Sequence, residues 1–358
     1  MSFSEPAARR PRFPAYTRPR SRFFITFALS NLSAMTDFST ASPSVLGIDI
    51  GGTNTSYALV DHDGSIRVRG SIPTRNHATF SEFIAALHRE VISQLSARGI
   101  PTDAIAAIGA GAPCVNPSSG EIEGAVDLPW PSPLPLAKEL SRHFGVPAAI
   151  ENDANAAALG EMYYGAARGL TDFIMLTLGT GVGSGVVCDS HLLHGRHGLA
   201  AELGHTIIRR GGRECSCGRR GCLEMYASAR GVVATARKFI ESDFPSSRLA
   251  SIKDLTPRDI YQAAMAGDPA ACATWKFTGE ILGEACAEFA AFSSPQAFIF
   301  FGGVARAFPL FKDAMKEAFD RNLLCIYNRT PDIRFIPSSL SDTDTALLGA
   351  AATGRNLI

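Results

Sequence analysis

Residues 48–61 read IDIGGTNTSYALVD, and residues 176–189 read LTLGTGVGSGVVCD. The two stretches align without a gap, placing Gly51 on Gly179, Ser56 on Ser184 and Asp61 on Asp189. Each runs through an apolar strand, a Gly/Thr turn, a second apolar strand and a closing aspartate. A repeated supersecondary unit at corresponding places predicts two similar domains. Working outward, Ile105–Gly109, Ala148–Glu151 and Phe298–Phe301 read as short buried strands, the last followed by Gly302 and Gly303. Between them, Phe83, Ile84, Leu87, Val91 and Leu95 recur at helical spacing within Phe80–Leu95. Strands alternating with helices predict an α/β fold with mostly parallel sheets covered on both faces. Ligands of such folds bind near strand ends, between domains.

The turns themselves suggest phosphate chemistry. In Gly51-Gly52-Thr53, backbone N–H groups can point at phosphate oxygens, and Thr53 adds a hydroxyl. Asp49, just before the turn, is placed to hold Mg²⁺ through water. Gly179-Thr180-Gly181 offers the same donors from the second repeat. A lone glycine turn is equally a structural hairpin; two at matched positions carry more weight. Other phosphate motifs are excluded. No G-x-x-x-x-G-K-[ST] string occurs. The dinucleotide fingerprint requires glycine where Ser184 stands, and Gly185-Val186-Val187-Cys188 continues as a strand rather than a helix.

After the strand Ala148–Glu151 comes Asn152-Asp153 and an alanine-rich, helix-forming run to Gly160. Only one of the two is needed as an N-cap. A carboxylate at a helix N-terminus is kept ionised by the dipole and can accept a substrate hydroxyl proton during phosphoryl transfer; from the residues alone capping and catalysis are equally good readings. Further on, Glu202-Leu203-Gly204-His205 precedes Cys215, Cys217, Cys222 and Glu224. One histidine and three cysteines supply the four soft ligands of a closed, structural Zn²⁺ site. Glu202, His205 and Glu224, set around that loop, could clamp sugar hydroxyls. The remaining cysteines, Cys114, Cys188, Cys272, Cys286 and Cys325, lie in apolar or mixed stretches and read as buried thiols of a reducing compartment.

The 358 residues are 46% hydrophobic and 19% charged, enough for two buried cores. The 34 basic and 34 acidic residues cancel, so no global field points to nucleic acid. No apolar run approaches the roughly 18 residues of a membrane span. Residues 1–44 differ from the rest. Arg9, Arg10, Arg12, Arg18, Arg20 and Arg22 make them basic, and Pro11, Pro14 and Pro19 break them up. They read as a disordered extension, or as a start placed too early with Met35 as the true beginning; a signal peptide and a nucleic-acid-binding arm fit less well.

Taken together, Asp49–Thr53, Asn152-Asp153, Gly179–Gly185, Glu202-x-x-His205 and the C-x-C-G-x-x-G-C-x-E string ending at Glu224 resemble the ROK family of bacterial sugar kinases and sugar-responsive repressors. The likeness runs from Val45 to the C-terminus and is closest to the family's glucokinases, including Gly160-Glu161-Met162 and Asp127–Trp130. Asp127 departs from the asparagine those enzymes often carry. The resemblance implies a two-domain actin-like/hexokinase-like fold, with residues 45–158 plus 343–358 as a small domain and 159–342 as a large one. It also implies an ATP-dependent kinase acting on a hexose 6-hydroxyl, with glucose as the leading substrate. Asp153 would be the base, and Asn152, Asp153, Glu202, His205 and Glu224 the sugar contacts. ATP phosphates would meet Gly51, Gly52, Thr53, Gly179, Thr180 and Gly181, and the nucleoside Gly302 and Gly303. Zinc would sit on His205, Cys215, Cys217 and Cys222, and the final helix, Thr343–Gly354, would pack on the first domain. A cytoplasmic homodimer or higher homo-oligomer is expected, with no nucleic acid or membrane partner. Kinases for N-acetylmannosamine, N-acetylglucosamine, fructose, mannose or allose, and a sugar-sensing repressor, stay open as alternatives.

Overall fold

The computed structural model describes residues 43–124, 128–329 and 332–358. The expected N-terminal extension up to residue 42 and the Asp127 position lie outside them. The first repeat forms β1 (Ser44–Ile50) and β2 (Asn54–Val60), continued by β3 (Ile66–Pro73), β4 (Ile105–Gly111) and β7 (Ala148–Glu151). Their order in the sheet is β3-β2-β1-β4-β7. The second repeat forms β8 (Phe173–Leu178) and β9 (Val182–Cys188), continued by β10 (His191–Leu192), β11 (Ala297–Phe301) and β12 (Arg334–Pro337). Their order is β10-β9-β8-β11-β12, the same topology. A small ribbon of β5 (Val115–Asn116) and β6 (Glu121–Ile122) stands apart.

Both sheets are mixed rather than mostly parallel. In each, the first three strands in sequence pair antiparallel and the remaining two join parallel. The short glycine turns impose this, since a tight turn can only join antiparallel neighbours.

Alternating side chains of β1 face two layers. Leu46, Ile48 and Ile50 join Phe83, Ile84, Leu87, Val91 and Leu95 of α1 (Phe80–Ser96) and Leu136 and Leu140 of α2 (Leu136–Phe144) in one core. Val45 instead meets Leu347, Leu348 and Ala351 of α9 (Asp342–Arg355) on the opposite face. The second sheet is layered likewise. Phe173 and Met175 pack with Ala157 and Ala158 of α3 (Asp153–Tyr164). Ile174 and Leu176 face a larger core built by α4 (Glu224–Ala227), α5 (Ala229–Ser242), α6 (Pro257–Met265), α7 (Pro269–Ser293) and α8 (Phe308–Asn322).

The halves meet where α3 packs on α9. Glycines permit this approach: a side chain at Gly160 would come within 3.1 Å of Gly349 Cα. The expected domain boundary after residue 158 therefore falls inside one continuous helix that touches both halves. The cysteine expectation needs correction. Of the five scattered thiols only Cys286 is buried; Cys114, Cys272 and Cys325 are exposed and Cys188 is half-buried. Cys114 sits in a turn at φ 52, Cys272 is in the first turn of α7, and Cys325 opens a 3₁₀ turn after α8. Such end-of-element positions face solvent whatever the local hydropathy.

Candidate active site

Each glycine turn is closed by a backbone bond from its first glycine, though the two strand registers differ by one residue. Gly51 N–H donates to Asn54 O at 3.1 Å, and Gly179 N–H donates to Gly181 O at 3.0 Å. Their carbonyls are held inward. Thr74 Oγ1 donates to Gly51 O and Arg75 Nε to Gly52 O, both at 2.7 Å. Ala229 N–H donates to Gly179 O at 2.8 Å. The N–H groups of Gly52, Thr53, Thr180 and Gly181 meet no acceptor among the described residues, which leaves them available to an anion.

Asp49 is half-buried in β1 beside the first turn. Burial, and then the charge of Asp153, raise its carboxyl above the usual carboxylate range. The two carboxylates are thus close enough for their charges to interact, a situation a divalent cation would relieve. Asp153 begins α3 and is exposed. Capping falls to Asn152, whose Oδ1 accepts from Asn155 N–H at 2.7 Å. The Asp153 carboxylate is thus not required to cap the helix; its Oδ1 accepts from the neighbouring Ala154 N–H at 2.8 Å.

The start of α3 lies against β9, where Gly185 allows contact: a side chain there would reach Ala158 Cβ at 2.6 Å. On the same strand, Ser184 Oγ donates to Ala201 O and accepts from Leu203 N–H, which docks the Leu203–His205 3₁₀ turn. Glu202, at the head of that turn, is exposed. Glu224 is only 8% exposed. Its Oε2 accepts from Val182 N–H at 3.1 Å, and its Oε1 pairs with Arg230. It braces the second glycine turn from behind. Glu224 touches Val182, Gly204 of the Glu202–His205 segment packs on Val182, and Ala154, next to Asp153, lies near Gly183, all at the beginning of β9.

A cavity of about 660 Å³ opens beside the second turn. Gly179, Thr180 and Gly303 line it, together with Thr256, Arg258, Tyr261 and Trp275. Gly302 stands at φ 100, where a side chain would meet Leu178 O at 2.7 Å; glycine alone suits that crowded, left-handed position. Sequence reading missed the walls supplied by α6 and α7. Their one local signal is the capping box of Thr256 and Asp259, which starts a helix but announces no ligand.

His205, Cys215, Cys217 and Cys222 place their ligand atoms within 4.8 Å of one another. His205 Nδ1 lies 3.6 Å from Cys215 Sγ, and Cys217 Sγ 3.6 Å from Cys222 Sγ. Tetrahedral Zn–S bonds of about 2.3 Å imply sulfur separations of about 3.8 Å, so the cluster fits a metal of that size. The Arg219 backbone N–H draws the Cys217 thiol down to about 6, while burial pushes Cys222 up to about 12. A cation among them would favour thiolate at both.

Two sheets of matching strand order, each with a glycine turn between its first two strands, and a helix packed between the halves make up the two-domain hexokinase-like ATPase fold of sugar kinases. Residues 45–356 match the ROK family, and the chain belongs to it. The glucokinase of Halalkalibacterium halodurans is 34% identical over 77% of this chain and 84% of its own length. The N-acetylmannosamine kinase of Citrobacter koseri is also 34% identical, over 74% of this chain and 84% of its own. Among solved structures, a ROK family glucokinase from Streptomyces griseus in complex with glucose and AMPPNP superposes with a TM-score of 0.68 at 32% identity, covering 87% of this chain and 99% of that one.

Proposed function

We propose that this ATP-dependent sugar kinase transfers the terminal phosphoryl group of ATP to the 6-hydroxyl of glucose. The reading is supported by an Asp153 carboxylate not needed to cap α3, together with two glycine turns whose N–H groups have no acceptor among the described residues. In it, Asn152, Glu202, His205 and Glu224 orient the sugar by its hydroxyls. Asp153 accepts the 6-hydroxyl proton as that oxygen attacks the phosphorus, and ADP leaves. Gly51, Gly52 and Thr53 from one side, and Gly179, Thr180 and Gly181 from the other, receive the phosphate charge. The nucleoside lies in the 660 Å³ cavity, between Gly302-Gly303 and Tyr261. Asp49 would hold Mg²⁺ through water, which offsets charge on the phosphates. His205, Cys215, Cys217 and Cys222 would hold a structural Zn²⁺.

The small domain is read as residues 45–158 with 343–358, the large one as 159–342, and the setting as a cytoplasmic homo-oligomer. The equal identity to an N-acetylmannosamine kinase supports a second substrate reading, since the proposed sugar contacts do not by themselves distinguish hexoses. A coupled assay with Mg-ATP against glucose, mannose, fructose, allose, glucosamine, N-acetylglucosamine and N-acetylmannosamine tests this. Turnover of glucose far above the others supports the proposal. A different preferred sugar replaces glucose, and no turnover with any sugar overturns the catalytic reading.

A further inference from the structure

Glu151 ends β7 in the first sheet, one residue before Asn152, and is only 3% exposed. A buried carboxylate requires partners, and Glu151 has three. Oε1 accepts from Asn152 N–H at 3.0 Å and from Asn155 Nδ2 at 2.9 Å. Oε2 lies 2.6 Å from His194 Nε2. A carboxylate only accepts, so Nε2 carries the proton. His194 belongs to the other half, just after β10 of the second sheet. The contact therefore bridges the two halves, beside a cavity of about 300 Å³ walled by β7, β10 and the end of α9.

His194 also begins the segment that leads to Glu202. Leu193 N–H donates to Val186 O at 2.8 Å, and Ala200 N–H to His194 O at 3.1 Å, closing a loop over residues 194–200. The far end of that loop is tied to Ser184 through Ala201 and Leu203. Both of those anchors, Val186 and Ser184, are in β9. The imidazole ties the start of the loop to the strand that leads into Asn152 and Asp153, and Gly198 of the loop approaches Pro117 nearby.

We propose that Glu151 and His194 are a pair of positioning residues that hold the Glu202–His205 segment in register with Asn152-Asp153 across the two halves, and so set the affinity for the sugar. This rests on the kinase reading above. The pair touches neither the glycine turns nor the nucleoside cavity, so it should act on the sugar and not on ATP.

The test compares His194→Ala, His194→Gln and Glu151→Gln/His194→Ala with the unmodified enzyme, using the sugar it turns over fastest. Losing one charge-assisted contact should raise the sugar KM about tenfold in His194→Ala, with ATP KM and kcat within about twofold. Glutamine, which keeps an N–H donor, should restore most of the affinity. The double variant removes the unpaired buried charge, and so stays folded even if His194→Ala does not; its sugar KM should be as high as that of the single variant. Sugar-induced shifts in melting temperature give the same ranking without turnover. An unchanged sugar KM in both alanine-bearing variants, or equal losses in sugar KM, ATP KM and melting temperature that glutamine does not rescue, would overturn the proposal. Absence of turnover in the unmodified chain would instead overturn the kinase reading beneath it.

Discussion

The two glycine turns both join antiparallel strands and both leave N–H groups without an acceptor among the described residues, yet their registers differ by one residue and they are braced differently. The first is held by its own sheet: Thr74 and Arg75, at the end of β3, bond to Gly51 O and Gly52 O. The second is held from outside its sheet, by Ala229 at the start of α5 and by Glu224 just after the last cysteine of the cluster. A repeated element thus has different supports in its two copies. The first turn depends on local strand packing and the second on an inserted loop that a metal ion would complete.

The largest expected effect falls on the proposed base. Asp153→Ala should lower kcat by roughly 10²–10⁴, the usual worth of a general base, while melting temperature and metal content stay as in the parent. Near-parental turnover would remove Asp153 from the mechanism. Next comes a substitution that separates the two supports. Cys222 is fully buried, and Cys222→Ser should lose the bound metal and lower the melting temperature by about 10 °C, with ATP affinity falling as the second turn loosens. A metal-free variant of parental stability and ATP KM would show that the second turn does not lean on the cluster.

Thr74→Val probes the first turn alone. It removes the bond to Gly51 O and leaves the buried Thr55 hydroxyl without its 2.9 Å partner, costing roughly 1–3 kcal/mol. ATP KM should rise a few-fold with metal content unchanged; a loss of metal would erase the distinction between the turns. The smallest effect is one of pH. The Glu151 hydrogen bond raises the His194 imidazole above its ordinary range, and Glu151 and His191 are the other titratable groups on that cavity wall. The bridge's stabilisation should be fully present below about pH 6.5, the ordinary imidazole value, and fade as pH rises through the raised one. The melting-temperature gap between parent and His194→Gln should shrink over that window, and a constant gap would argue that the proton is not held there.

Much of this was legible in the chain. Periodicity marked the buried face of α1 residue by residue, because Phe83, Ile84, Leu87, Val91 and Leu95 meet one sheet face and nothing else competes. The repeat marked both turns, because glycine and strand alternation leave few other conformations. Illegible were contacts made by distance in sequence. Tyr261 and Trp275 sit on helices whose apolar faces look like any core, and only folding turns part of them toward the cavity. Glu151 reads as the end of a strand until His194, on another sheet, arrives beside it. The sulfur count pointed to the grouping of His205, Cys215, Cys217 and Cys222 but not to the exposure of Cys114, Cys272 or Cys325, which depends on where elements stop.

The last helix has a further consequence. Val45, Ala58 and Val60 of the first sheet are covered by Leu347, Leu348 and Ala351, which are synthesised after every strand described. During translation the second half can close on itself while the first still shows an apolar face awaiting its cover, since distant contacts form only once both partners exist. A chain cut short before residue 342 would leave the ribosome with that face bare, a substrate for chaperones or proteases rather than a weakened enzyme.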